Sequence, residues 1–135
     1  MTVEIINRVA NSNLITIDLA DYSPKRNIAE IDIKDFLFEG VLLKEKEFRL
    51  RLKEFDFSAY TNKTVALNCS TDAIVPMWAF MLITSYLNNA ASEIHFGTKN
   101  EVFQKHFLQN IDKIDATEFE GEKVIVKGCG HIPLT

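Results

Sequence analysis

Cysteine is scarce, with two in 135 residues. No disulfide framework can hold such a chain, and a reduced, cytoplasmic setting is the expectation. Basic charge is not in surplus either: 15 Lys and Arg stand against 19 Asp and Glu, for a net charge of −4. Nucleic-acid surfaces are usually basic, and no run of Lys or Arg suits an anionic membrane, so neither partner is expected. The opening residues, MTVEIINRVANSNL, lack the apolar core of a signal peptide. The chain has no Gly-rich phosphate loop, no HExxH and no GxSxG, so the enzyme classes built on those motifs lose support. The remaining composition, 47% hydrophobic and 25% charged, is that of a globular protein, and the length predicts a single α/β domain over residues 1–135.

The stretch Thr64–Leu87, TVALNCSTDAIVPMWAFMLITSYL, organises the rest. Val65, Ala66 and Leu67 form a short apolar run that fits a strand buried on both faces of a parallel sheet. Asn68 to Asp72 turn the chain. Pro76 suits the first position of a helix, where its missing amide hydrogen has no partner to lose. No charged residue occurs from Ala73 to Ser92, and a helix apolar all round is a membrane span or a filling between layers. The strongly apolar part is too short for a bilayer, which needs about 20 residues, so a buried central helix is predicted.

Around this centre the pattern predicts a short helix over residues 3–10, strands over 14–19 and 29–34, and a turn with a short strand within 36–43. A helix is predicted over 44–55, with Phe48, Leu52 and Phe55 on one face and Glu45/Arg49 and Glu47/Arg51 as i,i+4 pairs on the solvated face. A strand over 93–96 ended by Gly97, a helix over 99–111 and a last strand over 123–127 complete the chain. The expected architecture is a mixed, mainly parallel sheet with two repeated helix–strand units around the buried central helix. The repeat covers about 44–69 and 103–129, at a spacing of 59 residues. Phe48 answers Phe107, Asp56 answers Asp115, Ser58 answers Thr117, Tyr60 answers Phe119, Asn62 answers Gly121, and Val65 answers Val124. By this parallel a helix like Pro76–Leu87 should follow Pro133. The chain stops at Thr135, which predicts self-association through an uncovered C-terminal sheet region.

The segments VANSNLITIDLADY, DIKDFLFEGVLLKEKEFR, CSTDAIVPMWAFML and VIVKGCGHIP together resemble an uncharacterised bacterial family known as domain of unknown function 2480. The resemblance spans essentially the whole chain. It implies a further C-terminal helix and strand that this sequence lacks, and it brings no activity, substrate or catalytic residue.

Three functional readings follow from the residues. In the first, the strand ends at Cys69 and Cys129 lie on one side of a parallel sheet, where ligands of α/β proteins bind. Cys69, Ser70, Thr71 and Asp72 would then line a ligand site, and Cys69, Cys129 and His131 would hold a zinc or iron ion. Their spacing matches no recognised zinc pattern, and small thiols that pack like Ala are the plainer alternative. In the second, Cys69 is a nucleophile activated at the start of a helix, although residues 70–76 hold no Arg to bind an oxyanion. In the third, the Ser70–Asp72 turn is a regulatory protein contact open to phosphorylation; its plainer alternative is capping and turn formation.

Overall fold

A computed structural model describes residues 14–25 and 27–128. The strands are β1 Ile15–Asp18, β2 Ile28–Asp32, β3 Thr64–Asn68, β4 Glu93–Phe96 and β5 Val124–Lys127. The helices are α1 Glu45–Glu54, α2 Met77–Leu87 and α3 Lys99–Asp112. The helix expected over residues 3–10 and the turn at 129–133 lie outside the described residues. The chain packs as two compact units: a central one, Lys25–Lys105, and a terminal one built from Met1–Pro24 with His106–Thr135.

In the central unit β2, β3 and β4 form a parallel sheet in that order. A hairpin cannot join parallel neighbours, so α1 and α2 serve as the crossovers. Residues 64–67 of β3 are buried throughout. Val65 and Leu67 enter a core with Ile31, Phe48 and Leu52, and with Ala79, Ile83 and Leu87 of α2. Ala66, between them, joins Ile28 and Val102 in a second cluster, with Phe103 against it. Side chains alternate across a strand, so α1 and α2 cover one face and the start of α3 covers the other. That double cover explains why β3 reads as an unbroken apolar run. Each large side chain so buried is worth about 1.5–3 kcal/mol.

The protein is therefore α/β. The expected mixed sheet is found as two sheets whose named strands all pair in parallel. The short strand expected near 42 shrinks to one antiparallel bridge, Phe38 to Leu42. Between them Glu39 and Gly40 both take positive φ, 51° and 74°, which turns the chain too tightly for a strand to follow. Arg51 pairs with Glu47 at 2.6 Å, as its spacing predicts. It also donates to the carbonyl oxygens of Asp35 and Leu37 at 3.3 and 3.1 Å, so it fastens this turn to α1.

The central helix is buried on one side only. Ala79, Ile83 and Leu87, four residues apart, face the core, while Met77 and Met81 are 66% and 64% exposed. Trp78 is half-buried, edge-on to Phe48 at 5.8 Å and beneath the Arg49 guanidinium at 5.1 Å. Absence of charge reported the apolar character of the helix correctly, but not whether a layer covers its outer side.

In the terminal unit β1 pairs in parallel with β5, Ile15 opposite Val124 and Asp18 opposite Lys127. The Asn110 amide donates to the Tyr22 carbonyl at 2.9 Å, tying the end of α3 to the turn after β1. Every residue of β5 is exposed.

Among the described residues one local device occurs four times. Asp18, Asp32, Asp56 and Asp115 each precede a 3-10 turn and accept a hydrogen bond from the amide two residues on, at 3.0–3.1 Å. The sequence signal is an apolar residue, Asp, three residues and an aromatic: Ile17-Asp18 to Tyr22, Ile31-Asp32 to Phe36, Phe55-Asp56 to Tyr60, and Ile114-Asp115 to Phe119. Short acidic side chains favour such turns because they offer the backbone a local acceptor.

Candidate functional site

The carboxyl ends of β2, β3 and β4 meet beside the turn from Cys69 to Pro76. Three interactions knit these ends together. Asn68 donates from one amide nitrogen to Glu30 Oε2 and to the Gly97 carbonyl, both at 3.1 Å, so the middle strand holds both neighbours. Glu30 Oε2 also accepts from the Lys99 amide at 3.0 Å, at the start of α3. A capping box closes that helix start: the Thr98 amide donates to Glu101 Oε2 at 3.0 Å and the Glu101 amide to Thr98 Oγ1 at 3.2 Å. Gly97, at φ 134°, leaves room for it, since a Cβ there would stand 2.5 Å from the Glu101 carboxylate.

Further along β2 the Ser70 amide donates to Asp32 Oδ1 at 3.1 Å, and the Lys34 amide reaches the same oxygen at 3.1 Å. Lys34 Nζ lies 3.8 Å from the second oxygen. Partial burial pushes the Asp32 carboxyl up, but the hydrogen bonds from Ser70 and Lys34 and the Lys34 ammonium outweigh it and hold the group below its ordinary value. The Ser70 and Lys34 amides are thus occupied by the Asp32 carboxylate, and the Lys99 amide by that of Glu30.

Cys69 is half-buried against the main core. Its sulfur lies 3.4 Å from Thr71 Oγ1 and 3.7 Å from the Thr71 carbonyl. Thr71 gives its hydroxyl hydrogen to the Gly40 carbonyl at 2.6 Å, so the thiol is the donor in the Cys69–Thr71 contact. Ser70 and Asp72 are exposed. None of the three polar residues caps α2: Pro76 is its N-cap, without a side-chain hydrogen bond. They form the turn instead.

Among the described residues, no group of three or more potential metal ligands includes Cys69. Cys129 and His131, the other expected ligands, lie outside the described residues. The structure brings Cys69, Ser70 and Thr71 together with Asp32 and Gly40, residues that sequence reading did not link to them.

The turn and α2 also present an apolar surface. Ile74 is 93% exposed, and Met77, Met81 and Phe96 are 60–66% exposed. Phe96, at the end of β4, meets Phe80 of α2 edge-on at 5.5 Å. Met77, Phe80 and Met81 stand three and four residues apart, on one side of the helix. Both methionines are offset by two positions from the buried Ala79 and Ile83, which turns them away from the core.

These features define a parallel α/β protein whose strand ends are closed by internal carboxylates and whose second crossover helix shows an apolar outer side. The chain belongs to the family described as Protein of unknown function (DUF2480), whose model matches residues 3–135. No curated protein and no solved structure matches it. Among the described residues no helix is long and apolar enough to cross a membrane.

Proposed function

We propose that the protein is a non-catalytic protein-binding module that docks through the outer side of α2 and the Ser70–Asp72 turn leading into it. One observation carries this reading: Ile74, Met77, Met81 and Phe96 are 60–93% exposed on and beside a segment without charge. Contiguous exposed apolar surface of this kind marks interaction sites, and methionine adapts well to a partner's shape. The closed strand ends support the non-catalytic half. Asp32 occupies the Ser70 amide and Glu30 the Lys99 amide, and the Cys69 thiol is engaged with Thr71. A thiol so placed supports a packing role over a nucleophile or a zinc or iron ligand.

The reading of residues 44–69 and 103–129 as a repeat is part of this proposal. Asp56 and Asp115 cap matching turns 59 residues apart, and Asn62 and Gly121 follow with φ of 61° and 75°. Strand register matches too: Ile15 pairs with Val124 as Ala29 pairs with Val65, and Asp18 with Lys127 as Asp32 with Asn68.

The test is covalent cross-linking in cells followed by mass-spectrometric identification of the bound proteins. Proteins cross-linked to the wild type should be lost with a Met77→Glu, Met81→Glu variant and kept with Cys69→Ser. Partners lost with Cys69→Ser but kept with the methionine variant would overturn the reading.

A further inference from the structure

Resting on that reading, we infer that the partner fitted by the outer side of α2 is a second copy of this chain, docked about a two-fold axis with the two α2 helices antiparallel. The first argument is charge. From Ala73 to Ser92 no residue is charged, in a chain whose net charge is −4. Heterologous partners are selected largely by complementary charge at the contact, and this side of the helix offers no such code. Its match is a surface that is equally apolar and uncharged, and a second copy presents one. A two-fold contact brings the same patch to itself; the helix itself carries no charge, and an antiparallel arrangement sets the exposed Asp72 of one copy at the opposite end of the contact from Asp72 of the other. Antiparallel helices also set each positive N-terminal end near a negative C-terminal end.

The second argument is area. Ile74, Met77, Met81 and Phe96 are 60–93% exposed, and together they make an apolar patch on the order of a few hundred Å². The half-exposed Phe80 and the polar Thr84 and Ser85 border it on the helix. A standard interface takes about 800 Å² per partner and weak, transient contacts take less; the patch with its border belongs to the smaller class. The dimer should therefore be weak and concentration-dependent.

Another exposed apolar element, β5, is the poorer choice for self-contact. Val124, Ile125 and Val126 are 36–60% exposed, but Lys123 and Lys127 flank them. Two β5 strands paired antiparallel about Ile125 would set Lys123 of one opposite Lys127 of the other. Like charges directly opposite destabilise a strand pair, and flanking lysines are a common guard on sheet edges.

Light scattering and sedimentation at rising concentration of purified full-length chain test the inference. Wild type should pass from monomer to dimer. Met77→Glu, Met81→Glu and Met77→Lys, Met81→Lys variants should each stay monomeric, and an equimolar mixture of the two should form a heterodimer. Val126→Glu should dimerise as wild type does. Hydroxyl-radical footprinting of unaltered protein supplies a check independent of variant folding: oxidation of Met77 and Met81 should fall as dimer forms. A wild type monomeric throughout, a dimer that survives both methionine variants, or methionines oxidised equally in monomer and dimer would each overturn the inference. Of these, a monomeric wild type leaves the partner-binding reading standing if the methionine variant still loses its cross-linked proteins.

Discussion

β3 and β5 follow the same kind of turn and pair in the same register with their parallel neighbours, yet their surroundings are opposite. Asp56 and Asp115 bind the amides of Ser58 and Thr117 at 3.0 Å and their hydroxyls at 2.6 Å. Each turn leads into a strand of branched and aliphatic residues. In β3 residues 64–67 are buried, with strands on both sides and helices on both faces. In β5 every residue is exposed and β1 is the single neighbour among the described residues. Local chemistry sets the turn and the register; burial depends on the elements that pack around the strand, before and after it. Among those that follow β3 are α2 and β4.

Truncation should separate the two strands most sharply. Leu67→Ala, at a site fully buried in the main core, should cost about 2–5 kcal/mol. Val126→Ala, at the matching position and 60% exposed, should change stability by no more than about 0.5 kcal/mol. Urea denaturation midpoints measure both, and equal losses would erase the distinction. A smaller effect of opposite sign is expected one turn of the pleat away. The Thr64 hydroxyl is buried without a hydrogen-bond partner, so Thr64→Val should stabilise the protein by about 1 kcal/mol. A loss of stability there would reveal a partner for the hydroxyl.

The smallest effect concerns acid. Asp56 and Asp115 are held below the ordinary carboxyl value of 3.8 by the hydroxyl and amide of Ser58 and of Thr117. Asp32 is held below it by Ser70 and Lys34 against the upward push of burial. A group whose carboxyl is lowered on folding binds its proton more readily in the unfolded chain. Its contribution is complete above the unfolded value and is lost as pH falls through the folded one. Melting temperature should therefore decline as pH drops below about 4, and Asp56→Asn with Asp115→Asn should lower it at neutral pH while flattening that decline. An unchanged slope in the double variant would place the acid sensitivity elsewhere.

Elements whose signal is local were legible in the sequence. The apolar run of β3, the helix start within one residue of Pro76 and the end of β4 at Gly97 all follow from neighbouring residues. The core side of α1 follows from the four-residue spacing of Phe48 and Leu52. What escaped depends on distant contacts. Glu30 meets the Lys99 amide across 69 residues, and Asp32 meets the Ser70 amide across 38; no periodicity announces either. The outer side of α2 escaped for another reason. A helix apolar all round carries no internal sign of which side lacks cover, so the whole of α2 was read as buried. The Asp turns at Asp18 and Asp32 did carry a signal, the apolar–Asp–aromatic spacing they share with Asp56 and Asp115.

Asn68 binds the three strand ends through the hydrogens of a single amide nitrogen, one aimed at a carboxylate and one at a carbonyl. Such a joint is exposed to chemical ageing. Hydrolysis of that amide to a carboxylate removes both donors and sets a new negative charge against Glu30 and the Gly97 oxygen. Attraction becomes repulsion at the point where β2 and β4 are held to β3. The consequence falls on the carboxyl ends of the sheet, beside the turn that leads into α2.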